Sequence, residues 1–384
     1  MRPELVGPNT PSKQLAFACF TLVVLVVAAG AVGEAAFRIF AQQPKVFDLS
    51  GLHEFRPDRE WLFRGRPGVE GEILGTNYKI NSDGFRGPVH AIPRPPGGLR
   101  IVVLGDSIAF GFGVREEQTF PRVLEALLAE RAPAAEVEVI NLGTGGYSAW
   151  NEARLLEDVG VAYEPDLVLV QFSINDLNDP SIHFGAQTKL ILGNIPDAAF
   201  PDPTRRTGVD PVRQLFVRAC HVSKLCTALR LRTAARIKPK RRSREYIRAF
   251  KEPVERTDRV EWRWLEDRYD EMAATTAAAG AQFAVLAFPY QQQLIGRKAH
   301  PVSQHLESMA QKGGWLLIDP LARFREARGS KRLFMDLWHP TILGHRIAAE
   351  ELLHGLACEN ALGEAARVAV TAPPCPTPQA LPAL

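Results

Sequence analysis

Five short apolar runs separated by helical stripes constrain this chain more than any other feature. Arg100–Leu104, Val137–Ile140, Leu167–Phe172, Phe283–Phe288 and Trp315–Ile318 lack the polar alternation of a sheet with one wet face. Continuous apolar character at that length is expected of strands buried on both faces. Between them, Glu116–Arg131 carries Phe120, Val123, Leu124, Leu127 and Leu128 at helical spacing, and Trp262–Ala279 and Thr341–Leu356 repeat the pattern. Strands alternating with helices predict an α/β fold: a mostly parallel five-stranded sheet with helices on both faces. Ligands of such sheets bind beyond the carboxyl ends of the strands.

The polar residues that follow those strands are chemically informative. Gly105-Asp106-Ser107 follows the first strand, where a glycine allows a sharp turn and an exposed hydroxyl. Asp336-Leu337-Trp338-His339 precedes the last helix. A serine nucleophile, an imidazole base and a carboxylate to orient the base are what acyl transfer at neutral pH requires. The bland alternative for Ser107 is a helix N-cap. The α/β-hydrolase elbow G-x-S-x-G is not met, since position 109 is alanine. His339 precedes Pro340, so it is expected to be extended, with Pro340 opening the helix. That places the imidazole at a helix N-terminus, where Asp336 is expected to accept from Nδ1 and leave Nε2 facing Ser107.

Acyl transfer also needs donors for the developing oxyanion, each worth roughly 3–4 kcal/mol of barrier. The candidates are the backbone N–H groups of Ser107 and Gly146 and the side-chain amide of Asn175. They lie in Asn141-Leu142-Gly143-Thr144-Gly145-Gly146 and Asn175-Asp176, each after a predicted strand. Plain readings of these segments are a strand-to-helix turn and an Asx-turn. Asp176 is expected to order its loop, His345 to be structural, and His300, His305 and His354 to serve surface or packing. No metal is expected, because no Cys/His cluster has zinc-ligand spacing. No cofactor is expected either, as no Walker lysine or G-x-G-x-x-G is present.

In order, Gly105-Asp106-Ser107, the Gly146 block, Asn175-Asp176 and Asp336-x-x-His339 resemble the four sequence blocks of SGNH (GDSL-type) hydrolases. The resemblance covers roughly residues 98–357, apart from 181–260. It implies a three-layer α/β/α sandwich, SGNH/flavodoxin-like, with Ser107 as nucleophile and His339 and Asp336 as proton relay. It further implies an oxyanion hole from Ser107, Gly146 and Asn175. Asn81-Ser82-Asp83-Gly84-Phe85-Arg86-Gly87 looks like a lead-in of membrane-tethered members. The third block usually reads Gly-x-Asn-Asp, whereas position 173 here is serine.

The remaining sequence sets the organisation. Residues 1–13 read as a cytoplasmic tail. Residues 14–40 read as a transmembrane anchor, with a signal peptide cleaved near Ala29-Gly30-Ala31 as the rival, because Gln14–Gly33 has no charged residue. About 20 residues span the roughly 30 Å hydrocarbon core. Residues 41–97 read as a linker or lead-in with a short strand at 78–80, 98–360 as the hydrolase domain, 181–260 as an inserted lid or a substrate-facing subdomain of loops and short helices, and 361–384 as a disordered tail. Cys220 and Cys226 share one helical stretch; Cys358 and Cys375 are either a clasp of the tail or free thiols. A net charge of +3 on 384 residues excludes an electrostatic case for nucleic acid. The basic run Lys238–Arg244 is read as a solvated flank.

The expected activity is that of an extracytoplasmic serine esterase acting on ester-linked acyl groups, acetyl on carbohydrate foremost. The partners expected are an acylated small molecule or glycan and the membrane, through the N-terminal helix. An O-acetyltransferase using the same residues and a non-catalytic glycan-binding protein are the alternatives.

Overall fold

The structure is a computed structural model that describes residues 11–40, 52–177 and 256–358, apart from scattered positions within those ranges. It divides into two compact units, Met1–Val46 with Thr204–Arg248, and Phe47–Pro203 with Ala249–Leu384. The first unit holds helix α1 (Pro11–Phe40), along which Leu15, Phe17, Phe20 and Leu25 are exposed. Among the described residues, no helix is long and apolar enough to cross a membrane. Most of 181–260, the basic run, Cys220, Cys226 and Cys375 lie outside the described residues.

The second unit opens with two small antiparallel pairs, β1 (His53–Phe55) with β2 (Phe63–Gly65) and β3 (Glu70–Ile73) with β4 (Thr76–Lys79). The main sheet follows: β5 (Leu99–Leu104), β6 (Val137–Asn141), β7 (Leu167–Phe172), β8 (Gln282–Ala287) and β9 (Leu316–Ile318). All its pairings are parallel and the spatial order is β6-β5-β7-β8-β9. The order follows from one reversal. The chain leaves β5 for β6 on one side, then returns past β5 to lay down β7, β8 and β9 on the other. The crevice of such a sheet lies at this switch point, beyond the carboxyl ends of β5 and β7.

Helices cover both faces. The connecting helices are α2 (Ser107–Phe110), α3 (Phe120–Arg131), α4 (Ala149–Asp158), α5 (Val260–Ala278), α6 (Pro301–Gly313), α7 (Leu321–Ala327) and α8 (Ile342–Cys358). Val102 and Leu104 of β5 point into one core with Leu155 and Leu156 of α4, Trp262 and Leu265 of α5, and Leu306 of α6. Ile101 and Val103 point into the other, with Phe120 and Leu124 of α3, Phe324 of α7 and Leu352 of α8. The period-2 alternation of a strand thus feeds two cores from one run, which is why every residue of β5 and β7 is buried. Each buried Leu or Phe contributes about 2 kcal/mol of transfer free energy.

Helix bounds agree with the sequence pattern to within a few residues, with one informative correction. Pro340 does not open a helix. It pairs with Phe334 in an isolated antiparallel bridge, and α8 begins at Ile342. Met335 N–H donates to His339 O at 2.8 Å and Thr341 N–H to Leu333 O at 2.9 Å. Residues 333–341 are therefore a hairpin-like loop, and His339 stands in that loop, three residues ahead of α8.

The segment before the main sheet packs as part of the domain. Trp61, Phe63, Tyr78, Ile80 and Phe85 are buried in the same core as Val102 and Val168. Cys358, at the end of α8, is disulfide-bonded.

Candidate active site

The strand-to-helix turn at Gly105-Asp106-Ser107 is held from three sides. Asp106 caps α2 by accepting from Ile108 N–H at 2.8 Å. From β7, Gln171 Oε1 accepts from Ala109 N–H at 3.1 Å, and from β6, Asn141 Nδ2 donates to Ala109 O at 2.7 Å. A Cβ on Gly105 would sit 2.7 Å from Ala109 Cβ and 2.8 Å from Gln171 Oε1, so only glycine lets β5 and β7 approach the turn this closely. Ser107 is the residue of this turn that reaches solvent, while its neighbours from Gly105 to Phe112 are buried.

Tertiary structure brings the distant Asp-x-x-His to that serine. Ser107 Oγ lies 2.9 Å from His339 Nε2, and His339 Nδ1 lies 2.7 Å from Asp336 Oδ2. The other oxygen, Asp336 Oδ1, accepts from the backbone N–H of Trp338 and of His339, each at 2.8 Å. One carboxylate thus shapes the loop and orients the ring. Partial burial raises the Asp336 pKa, but the hydrogen bond to His339, its charge and the two backbone N–H groups outweigh that and lower it. Phe112 covers the imidazole, ring centroids 4.6 Å apart.

The candidate oxyanion donors lie on the segments that follow β5, β6 and β7. Gly146 adopts φ +90°, a left-handed conformation that glycine accommodates without a Cβ penalty. Asn175 lies on a single 3-10 turn (Ile174–Leu177) after β7, and its Nδ2 donates to Tyr147 O at 2.8 Å, tying it to the residue next to Gly146. Ser107 and Gly146 are half-buried between buried neighbours, and Asn175 is half-buried beside buried Asp176 and Leu177.

Asp176 orders its loop as expected. Its Oδ2 accepts from Ser173 N–H at 3.0 Å and from Tyr269 Oη–H at 3.2 Å. His345 is buried in the core beside α3 and accepts from Phe120 N–H at 3.2 Å. Burial pushes its pKa down to about 3, so it stays neutral. Among the described residues, no group of His, Cys, Asp and Glu is arranged to hold a metal ion.

Several supporting residues escape a reading by motif. Gln171 props the nucleophile turn, and its signal is a lone amide in the run LVLVQF. Arg86 is buried and donates to Phe110 O at 2.9 Å, Gly111 O at 2.7 Å and Val114 O at 2.7 Å, with its guanidinium 4.4 Å from the Tyr78 ring. Tyr78 Oη accepts from Gly113 N–H at 2.7 Å. Together they clamp the loop that carries Phe112 onto His339.

Comparison with known proteins gives one decisive match. The model of the GDSL-like lipase/acylhydrolase family matches residues 103–347, more than half of the chain. No curated protein matches the sequence. Among solved structures, LAE5, an alpha/beta hydrolase enzyme from the metagenome of Lake Arreo, is 20% identical, with a TM-score of 0.40 over 68% of this chain and 96% of its own. Axe2, an acetylxylan esterase from Geobacillus stearothermophilus, is 15% identical, with a TM-score of 0.39 over 68% of this chain and 94% of its own. Likeness at that level carries no argument about substrate.

Proposed function

The chain belongs to the GDSL-like lipase/acylhydrolase family and is an ester-hydrolysing enzyme, and we propose that Ser107, His339 and Asp336 perform that hydrolysis. The observation that carries the proposal is the continuous chain Ser107 Oγ, His339 Nε2, His339 Nδ1, Asp336 Oδ2, with links of 2.9 and 2.7 Å.

Ser107 Oγ attacks the ester carbonyl carbon while His339 Nε2 takes its proton. Asp336, held in its carboxylate form, fixes the Nδ1–H tautomer and stabilises the imidazolium that forms. Negative charge moves onto the carbonyl oxygen, where the backbone N–H groups of Ser107 and Gly146 and Asn175 Nδ2 receive it; each donor is worth about 3 kcal/mol of barrier. Collapse breaks the ester C–O bond, and His339 returns the proton to the leaving alkoxide. Water activated by His339 then cleaves the acyl–Ser107 ester and restores the hydroxyl.

The acyl group in this proposal is small, acetyl foremost, and its carrier is a carbohydrate of the cell envelope or a secreted glycan. The domain is tethered through α1 and works outside the cytoplasm. Support comes from the uncharged run Gln14–Gly33 and from the exposed apolar side chains Leu15, Phe17, Phe20 and Leu25, since a tether suits an enzyme whose substrate is a surface polymer. Alkaline extraction of membranes tests the tether: recovery of the full-length protein in the soluble fraction overturns it.

For the chemistry, wild type is expected to hydrolyse p-nitrophenyl acetate and to be labelled by a fluorophosphonate at Ser107. Ser107→Ala is expected to do neither. Undiminished turnover by Ser107→Ala would exclude this mechanism. A panel of acetylated glycans and longer acyl esters then reads the acyl and carrier preference, and acylated product from an added glycan acceptor would identify transfer in place of hydrolysis.

A further inference from the structure

Ser173, where the family pattern usually has glycine, joins two residues of the site that otherwise have no direct reason to be coupled. It is buried at the end of β7, 7% exposed. Its Oγ lies 2.9 Å from Asp106 Oδ2, on the nucleophile turn, and is hydrogen-bonded to Asn175 Oδ1.

The hydroxyl carries one proton, which here faces two acceptors. The direction is decided at the far end of the Asn175 amide. Tyr147 O, a pure acceptor, takes a hydrogen bond from Asn175 Nδ2 at 2.8 Å, so Oδ1 is the end turned to Ser173, and it must receive. Ser173 Oγ–H donates in this direction, and its second acceptor is Asp106 Oδ2 at 2.9 Å. Asp106 Oδ1 stays free to accept from Ile108 N–H at 2.8 Å.

We infer that Ser173 is a positioning residue: its hydroxyl locks the plane of the Asn175 amide, so that one Nδ2–H is held by Tyr147 O and the other is left for the oxyanion. The contacts run from Asp106 through Ser173 and Asn175 to Tyr147 O. They tie the end of β7 to the turn after β5 and to the loop after β6, the three segments that supply the oxyanion donors. Full burial raises the pKa of Asp106 against the opposing pull of Ile108 N–H, Ser173, His339 and Asn175, and the Asp106 charge adds to burial in raising the neighbouring acids Asp176 and Glu152. The inference rests on the proposed roles of Ser107 and Asn175.

Ser173→Ala tests it, because the backbone N–H that donates to Asp176 Oδ2 at 3.0 Å survives the change. With p-nitrophenyl acetate, kcat is expected to fall about tenfold or more while KM stays within about twofold, the pattern of a contact strengthened in the transition state. Fluorophosphonate labelling slows in parallel, and thermal unfolding monitors the fold. Asp106→Asn, whose amide oxygen can still accept as the carboxylate does, is expected to keep more kcat than Asp106→Ala. A kcat for Ser173→Ala within twofold of wild type would overturn the inference. A spectrum of protein labelled with [15N]asparagine reads the lock without any substrate. The Asn175 side-chain N–H pair, assigned through Asn175→Asp, shifts on Ser173→Ala if the inference holds and stays in place if it fails. Absence of turnover and labelling in wild type would instead sink the proposed function and leave this spectral test to decide the lock.

Discussion

Asp336 divides its two oxygens between the chain and the ring, one on the N–H groups of Trp338 and His339 and one on His339 Nδ1. Asp336→Asn can keep the first role through its carbonyl but turns an N–H donor toward Nδ1, favouring the wrong tautomer. We expect kcat to fall by about 10²-fold or more with the loop intact, read by steady-state kinetics. The side chain is 48% exposed, so water softens the loss relative to a buried carboxylate. Because its pKa is lowered, its stabilising contribution is complete above the unfolded carboxylate value near 4 and is lost only as pH falls through the lower folded value. Loss of activity between pH 5 and 8 is therefore not expected to come from Asp336, and a wild-type profile of kcat/KM against pH checks this. At this scale, Ser107, His339 and Asn175 were legible as residues because motif spacing marks them. Ser173 was marked only as a departure from the family block and Gln171 not at all, since their roles depend on which oxygen faces which donor across two strands.

Among elements, the lead-in segment does more than lead in. Tyr78 and Arg86 grip residues 110–114, and Phe112 of that loop rests on His339. Tyr78→Phe removes the acceptor of Gly113 N–H and is expected to cost about 1 kcal/mol in urea unfolding. Arg86→Ala leaves the carbonyls of Phe110, Gly111 and Val114 without their buried donor, and about 3 kcal/mol or more is expected from the same measurement. Strands β5 to β9 could be read from sequence because burial on both faces demands unbroken apolar runs. Apart from the short strand read at 78–80, which overlaps β4, the pairs β1–β2 and β3–β4 could not: segments such as Glu70–Ile73 carry charge, and only packing of Trp61, Phe63 and Tyr78 on the core makes them strands. The helix start placed at Pro340 moved for a related reason, since proline fixes a local torsion while the bridge to Phe334 is a contact between segments.

At the scale of the molecule, three fully buried carboxyls lie behind the site. Glu152 is completely buried, and among the described residues neither carboxyl oxygen has a hydrogen-bond partner. Burial, then the nearness of Asp176 and Asp106, raises its pKa well above the ordinary value. A carboxyl raised in the folded state holds its proton there after the unfolded chain has lost it. Folding stability therefore falls as pH climbs from the unfolded value near 4 toward the folded one. Glu152→Gln removes this dependence. Its melting temperature relative to wild type is expected to rise by about 2–4 °C between pH 5 and 8, measured by thermal unfolding at both. A constant difference would show that Glu152 does not titrate with folding.

The sequence alone determined the alternation of doubly buried strands and amphipathic helices, and the seating of reactive side chains where those strands end. Both are local: the period of an apolar pattern and the turn chemistry beside it are properties of neighbouring residues. Only tertiary structure decided the order β6-β5-β7-β8-β9, the closing of Ser107 onto His339 at 2.9 Å, and the facing of Ser173 toward Asp106 and Asn175. These depend on burying two cores at once across one sheet, and no stretch of neighbouring residues contains that condition.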